Sequence, residues 1–287
     1  VLDDLTALGP FFAVASHPPA AAPSAPWRSA SELTSPSGPL RGRIASAREA
    51  LAARGGRPVG DVEARVAASA VHLGLIARLV SPALGAAVLR GQVDMRPAGL
   101  WWQDVTGGPV PLSVPMPPGG GETAKEWDRA LLDETVAPVT AAVARLVPVS
   151  GRVLWGNVAS AVNAAAAQVA RHRPDLAGDA WRAAGRLLGR PWLRDEPHPP
   201  GPAFRRSSCC LFYRLAPGNP SAVCGDCVLG GRAGSHQRLS RTTSAYSVPP
   251  AAPSGLAGGA CLSALPETSR HPGAVMGASG VRRIRSG

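Results

Sequence analysis

Four thiols stand together in one short stretch, Phe204 to Leu229, as an adjacent pair (Cys209, Cys210) followed by a C-x-x-C pair (Cys224, Cys227). Adjacent residues have Cα atoms about 3.8 Å apart, below the usual range for a relaxed disulfide, so Cys209 and Cys210 are poor partners for each other. The C-x-x-C spacing is the one at which a turn aims two thiolates at a single metal, and Gly225 and Asp226 suit that turn. Two thiolates from each of two segments make an S4 donor set that fits either one tetrahedral zinc or an iron–sulfur cluster. Spacing alone leaves zinc and iron–sulfur both open. A thiol–disulfide site at Cys224 and Cys227 is a third reading, although no thioredoxin-like βαβ pattern precedes it. Arg205, Arg206 and Arg214 would offset the charge of four thiolates and lower their pKa. The fifth cysteine, Cys261, lies alone in the tail and reads as a free thiol without a role.

The chain that must hold these thiols has 287 residues, 45% of them hydrophobic, enough to bury a core. Its formal charge of +11 is unevenly spread. From Val228 onward seven arginines face one acid, Glu267, so the tail carries +6 and the rest only +5. Such a diffuse basic tail is a weak case for nucleic acid, which is not expected as a partner. The longest uncharged apolar run near the middle, Leu79 to Leu89, is eleven residues and contains Pro82, too short to span a bilayer, so no membrane role is expected. Asp3 and Asp4 stand where a secretory signal would be basic, which makes the cytoplasm the expected compartment. Clustered cysteines there point to metal or redox chemistry more than to structural disulfides.

Helical spacing predicts a short helix in Val1 to Val14, another over Arg41 to Arg54 closed by Gly55-Gly56, and a third capped by Asp61. In that third helix Val62, Val66, Ala70, Leu73, Ala77 and Val80 share a face, Pro82 interrupts, and Ala83 to Leu89 forms a separate short helix. His72 within it reads as a satisfied core or boundary histidine rather than a ligand. Leu100 to Gln103 and Val110 to Met116 suggest a β-hairpin whose second arm Pro109, Pro111 and Pro115 confine to an edge. Glu122 to Leu146 is helical with a kink or break at Pro138, and two more helices cover Val153 to Arg171 and Asp175 to Leu188. Asp195 to Ala203 reads as a linker, and Gly230 to Gly287 has no periodicity and reads as disordered. Phosphate-loop, Rossmann, H-E-x-x-H and G-x-S-x-G patterns are all missing.

The run F-R-R-x-x-C-C-L-x-Y-R-L followed by C-G-D-C-V-L resembles the C-terminal iron–sulfur motif of the FhuF-like ferric siderophore reductases. Weaker similarity extends back through Ser81-Pro82-Ala83, Leu100-Trp101-Trp102 and Leu154 to Ser160, so that it covers roughly Asp61 to Leu229. Thirteen residues, Leu211 to Val223, separate the two cysteine pairs, a few more than the family spacing, with the excess around Pro217 to Pro220.

The resemblance implies a cytoplasmic reductase with one [2Fe-2S] cluster on Cys209, Cys210, Cys224 and Cys227. The implied partners are a ferric siderophore and an electron donor such as a ferredoxin or an NAD(P)H-dependent reductase. Trp101, Trp102 and Trp155 are the expected lining of a siderophore groove, with core packing as the competing reading for the tryptophan pair. Arg205 and Arg206 are the expected docking residues for an acidic donor. The competing function is a zinc-stapled structural or interaction protein using the same cysteines. The expected fold is α+β, predominantly helical, with a small hairpin and a terminal cysteine-ligated loop. Its expected parts are residues 1–60 (N-terminal helices and a Pro/Ala/Ser-rich loop), 61–200 (helical siderophore-binding body), 201–230 (cluster segment) and 231–287 (basic tail).

Overall fold

The fold is built around one helix. In a computed structural model of the chain, Ala64–Val88 runs as a single helix, α3, with 20 of its 25 residues buried. A helix that is apolar all round belongs at the centre of a protein, with other elements on every side. The structure describes residues 1–229 apart from 20, 117–122, 191–192, 194–198, 217–218 and 220–222. The predicted basic tail and Cys261 lie outside the described residues, as do residues 195–198 of the predicted linker at 195–203.

Around α3 pack α1 (Leu2–Ala7), α2 (Leu40–Arg54), α5 (Ala137–Leu146), α6 (Gly151–His172) and α7 (Ala177–Leu188). The α3–α6 pairing is the most extensive of these contacts. Its inner positions on both helices are rich in alanine, valine and serine, which allows close approach. α1 crosses α3 at Gly85, where a Cβ would stand 2.8 Å from both Leu5 and Phe12. One hydrophobic core runs from Leu5 to Phe204, while Cys210, Cys224 and Cys227 form a separate small cluster.

Pro82 does not divide α3. It removes the N–H that would reach the Arg78 carbonyl, yet burial of the helix on every side outweighs the loss of one hydrogen bond. The Ser81 hydroxyl also bonds back to the Ala77 carbonyl, at 2.7 Å. The start of α3 differs from expectation as well: Asp61 ends a short 3-10 turn (Val59–Asp61), and Glu63 occupies the N-cap position without a side-chain bond. By length and composition α3 is apolar enough to cross a membrane, but 83% of its most apolar window is buried inside the protein.

Beyond α3, a capping box between Thr123 and Glu126 starts α4 (Ala124–Arg129). The helix passes through a π-helical stretch, Ala130–Val136, into α5. Pro138 falls in the first turn of α5, where its missing N–H follows the wider π turns. The expected disturbance at Pro138 thus takes the form of a π stretch before it.

The predicted hairpin is present as β3 (Trp101–Trp102) and β4 (Leu112–Pro115), paired Trp102 to Leu112 and Trp101 to Ser113. It sits inside a four-stranded mixed sheet of order β1-β4-β3-β2, completed by β1 (Ala15–His17) and β2 (Arg28–Ser29). β4 is therefore an inner strand, parallel to β1, and not an edge. Pro111 and Pro115 flank the pairing rather than interrupt it: the Pro111 carbonyl accepts from Gln103, and Pro115 is the last strand residue. β1 and β2 are too short to show a period of two in sequence.

Candidate metal centre

The cysteine segment lies against the N-terminal half of α3 and the first turns of α6, sewn to both by hydrogen bonds. The Ser69 hydroxyl of α3 donates to the Cys210 carbonyl at 2.9 Å. On α6 the Arg152 carbonyl accepts from the Ser208 hydroxyl at 2.7 Å, and the Val153 carbonyl accepts from Arg206 Nη2 at 3.3 Å. The Ser160 hydroxyl bonds the Asp226 carboxylate, and the Asp226 carbonyl accepts from the Arg206 amide at 2.9 Å. These bonds tie the two cysteine pairs to each other as well as to the helices. A 3-10 turn, Phe212–Leu215, is fastened on the other side through Glu63 to Arg214 and through Arg57 to the Leu215 carbonyl.

Within this frame the four thiols converge. Cys210 and Cys224 have their sulfurs 3.4 Å apart, and the Cys209 thiol is hydrogen-bonded with those of Cys210 and Cys227. The Cys227 amide closes the C-x-x-C turn on the Cys224 carbonyl at 3.0 Å. After Cys210 the chain turns through Leu211 at φ +71°, a left-handed conformation costing a non-glycine residue roughly 1 kcal/mol. That turn brings the Leu211 N–H to the Cys209 sulfur at 3.3 Å, and the Leu229 N–H bonds the Cys227 sulfur at the same distance. Cys209 alone of the four is partly exposed; the others are buried. Its thiol is pulled down to about 6, first by its bond with Cys210 and then by the Leu211 N–H, the Arg206 charge and Cys227, against an opposing contribution from burial. Among the described residues no three His, Cys, Asp or Glu side chains surround one point as ligands of a single ion. The thiols are gathered sulfur against sulfur.

Behind them runs a buried polar chain. Asn157 Nδ2 donates to the Ser69 carbonyl and hydroxyl, each at 3.1 Å, and lies 3.4 Å from His72 Nδ1. His72 Nε2 is 3.0 Å from the Thr140 hydroxyl, which itself donates to the Val136 carbonyl at 2.7 Å. This pattern sets the tautomer: Nδ1 accepts and Nε2 carries the proton. Burial, reinforced by the Arg206 charge, lowers the His72 pKa to about 3, so the ring is neutral. As expected, His72 is a satisfied core histidine.

At the thiol end, Asn157 Oδ1 accepts from Arg206 Nη2 at 2.6 Å. Arg206 is only 1% exposed. Its Nε and Nη1 are buried and have no hydrogen-bond partner among the described residues. This corrects the expectation that Arg206 docks an external partner: its guanidinium faces inward. Arg205 does lie on the surface, its Nη1 on the Phe204 carbonyl at 2.9 Å.

The tryptophans separate in the same way. Trp102 is fully buried in the sheet, with Arg43 over its ring at 5.8 Å, so it offers no face to a ligand and its expected groove role gives way to core packing. Trp101 is half-buried beside it on β3, whereas Trp155 is half-buried on α6 near the turns that carry the cysteine segment. The structure does not bring the three into one groove. A cavity of about 360 Å³, lined among others by Leu84, Trp127, Asp128 and Arg186, opens at the far end of α3. The helical rise from Ser69 to Leu84 places it about 20 Å from the thiols.

A family model described as ferric iron reductase FhuF-like transporter matches residues 71–215, and one described as the FhuF 2Fe-2S C-terminal domain matches residues 206–229. The chain belongs to the FhuF-like ferric iron reductase family. Its cofactor is a [2Fe-2S] cluster. No curated protein and no solved structure matches the chain. The residues present fit such a cluster: four sulfur donors, two backbone N–H groups on sulfur, and an inward arginine with two nitrogens unpartnered among the described residues suit an anionic iron–sulfur unit.

Ser69, Asn157 and Ser160 are not singled out from sequence as parts of this site, and Asp226 is read there only as a turn residue, not as the partner of Ser160 and Arg206. A pattern was there to find. Ser69 and His72 on α3, and Asn157 and Ser160 on α6, are polar pairs three residues apart within otherwise apolar faces.

Proposed function

We propose that this FhuF-like protein is a ferric siderophore reductase of the cytoplasm, with its [2Fe-2S] cluster held by Cys209, Cys210, Cys224 and Cys227. The observation that carries this is the convergence of the four thiols, one partly exposed, on a segment fixed to two helices. Bound there, the cluster supplies one electron at a time. Ferric ion is held tightly by the hard oxygens of a siderophore and ferrous ion far less so, so a single electron turns a tight complex into a labile one.

The residues of the chain set where that transfer takes place. Cys209 forms the exposed margin of the site, and Val228 and Leu229 beside Cys227 are exposed apolar surface. The ferric complex would meet the protein there, because the cavity beyond Leu84 is too distant for direct transfer. Of the tryptophans, Trp155 keeps a place in this proposal: Trp155→Ala should weaken ferric siderophore binding while the visible spectrum persists. Arg205 remains as a surface docking charge for an acidic donor such as a ferredoxin or an NAD(P)H-dependent reductase. Arg205→Glu should slow electron entry and reduce its salt dependence.

The decisive measurement is made on freshly purified protein. Iron and acid-labile sulfide near two each per chain, with visible absorption bleached by a reductant and restored by a ferric siderophore, is the expected result. A colourless protein with one zinc per chain would sink the proposal and leave the zinc-stapled reading.

A further inference from the structure

We infer that Arg206, positioned by Asn157, is an internal counter-charge that hydrogen-bonds to the iron–sulfur cluster and raises its reduction potential. The inference rests on the cluster being held by the four cysteines proposed above. Arg206 lies three residues before Cys209, is buried to 1% exposure, and is tied through its own amide to the C-x-x-C turn. Its protein acceptors are neutral oxygens, the Val153 carbonyl and the Asn157 amide, and both are reached through Nη2 alone. Nε and Nη1 are left without partners among the described residues, in a buried site.

A buried cation with unpaired donors is strongly destabilising unless something anionic meets it. The group beside it is the thiol cluster: Arg206 stands three residues before Cys209 and its backbone amide bonds the Asp226 carbonyl inside the turn that carries Cys224 and Cys227, while the Asp226 carboxylate is engaged by Ser160. Reduction adds one negative charge to the cluster, so a fixed positive charge and N–H donors beside it favour the reduced form.

Asn157 acts through Arg206. Its amide is held at the nitrogen end by Ser69 and His72, which leaves Oδ1 aimed at Nη2. Because the neutral His72 ring accepts from Asn157, the amide cannot flip without losing both ends of the chain. Asn157 is therefore a positioning residue, and the Ser69–His72 pair fixes its orientation.

The test is potentiometric titration of cluster-loaded wild type, Arg206→Gln, Asn157→Ala and Arg205→Gln, read by visible absorption and electron paramagnetic resonance. Arg206→Gln should lower the equilibrium constant for one-electron reduction at least ten-fold, about 59 mV more negative. Asn157→Ala should shift it in the same direction by less, and surface Arg205→Gln by least of all. Equal potentials in wild type and Arg206→Gln would overturn the inference.

Should Arg206→Gln fail to take up a cluster, the wild type decides by itself. Reduced protein labelled with ¹⁵N-arginine should show a hyperfine coupling to an arginine nitrogen in pulsed resonance, and its absence counts against the inference. The underlying proposal fails separately, if wild type carries no cluster at all.

Discussion

Among the described residues two arginines are buried, and they are buried differently. Arg78, 3% exposed in the middle of α3, spends its guanidinium on three backbone carbonyls: Val110 through Nε at 2.7 Å, Phe11 through Nη1 at 2.8 Å, and Ala13 through Nη2. It pins the central helix to the loop before β4 and to the chain entering β1. Burial pulls its pKa to about 10, which leaves it charged at neutral pH. Arg206 is buried to the same degree but has acceptors for one nitrogen only. Where every nitrogen has an acceptor within the protein, the arginine is part of the fold. Where two are left over beside gathered thiols, the protein has prepared a charge for something else. That distinction comes from counting partners; burial alone would have treated the two alike.

The largest effect should come from breaking the structural arginine. Arg78→Met removes every donor at once and leaves three carbonyls without the partner they have now. The expected cost is about 3–5 kcal/mol of unfolding free energy, the range for removing one member of a buried charged network. Denaturant unfolding would measure it. A loss under about 1 kcal/mol would mean that Arg78 is no more fixed than Arg206, and the contrast would fail.

A pH titration sharpens the contrast from the side of the polar chain. His72 is held near 3 when folded, against 6.5 when unfolded. Above pH 6.5 it is neutral in both states and costs nothing. As pH falls from 6.5 towards 3, the unfolded chain takes up a proton that the folded chain refuses, and stability is lost. By pH 5 the loss is about 2 kcal/mol. His72→Gln should remove that part of the acid sensitivity, seen as a smaller drop in Tm between pH 7 and pH 5. Because the Arg206 charge contributes to the lowering, Arg206→Met should reduce the same sensitivity in part. An Arg78 variant should not, if the two regions are as separate as their hydrogen bonds indicate.

What was legible in the sequence follows the same division. The helices showed themselves because an apolar stripe at helical spacing is a local signal, and α2, α6 and α7 lie within a few residues of their predicted ends. Pro82 and Pro138 were read as interruptions because their effect on a solitary helix is local. The continuity of α3 depends on neighbours from across the chain, and the π stretch on how seven residues pack. β1 and β2 escaped notice since two or three residues carry no period. At the site, the cysteines were legible by type and spacing. The chain from Thr140 to Arg206 was not, because its members lie up to 137 residues apart in sequence (His72 to Arg206 alone spans 134) and become a unit only when α3 meets α6. Arg206 is buried where an outward-facing side chain was expected, since sequence does not say which of two adjacent arginines faces inward.

The smallest expected effect is the most telling. In protein stripped of iron by a chelator, Arg206→Met removes a buried charge whose donors are mostly unpaired, so the loss of its bonds to Asn157 and Val153 is offset by relief of that unpaired charge. Stability should change by no more than about 1 kcal/mol in either direction. The main core does not include the cysteines, so iron removal should leave the cooperative unfolding of the body in place. With the cluster loaded, the same substitution should lower Tm, since there the charge has an anionic partner to lose. Arg78→Met should be equally costly with and without iron. A variant pair whose sensitivity to iron is confined to position 206 separates a charge kept for the cofactor from one kept for the fold. Equal sensitivity at both positions would return Arg206 to the rank of an ordinary core residue.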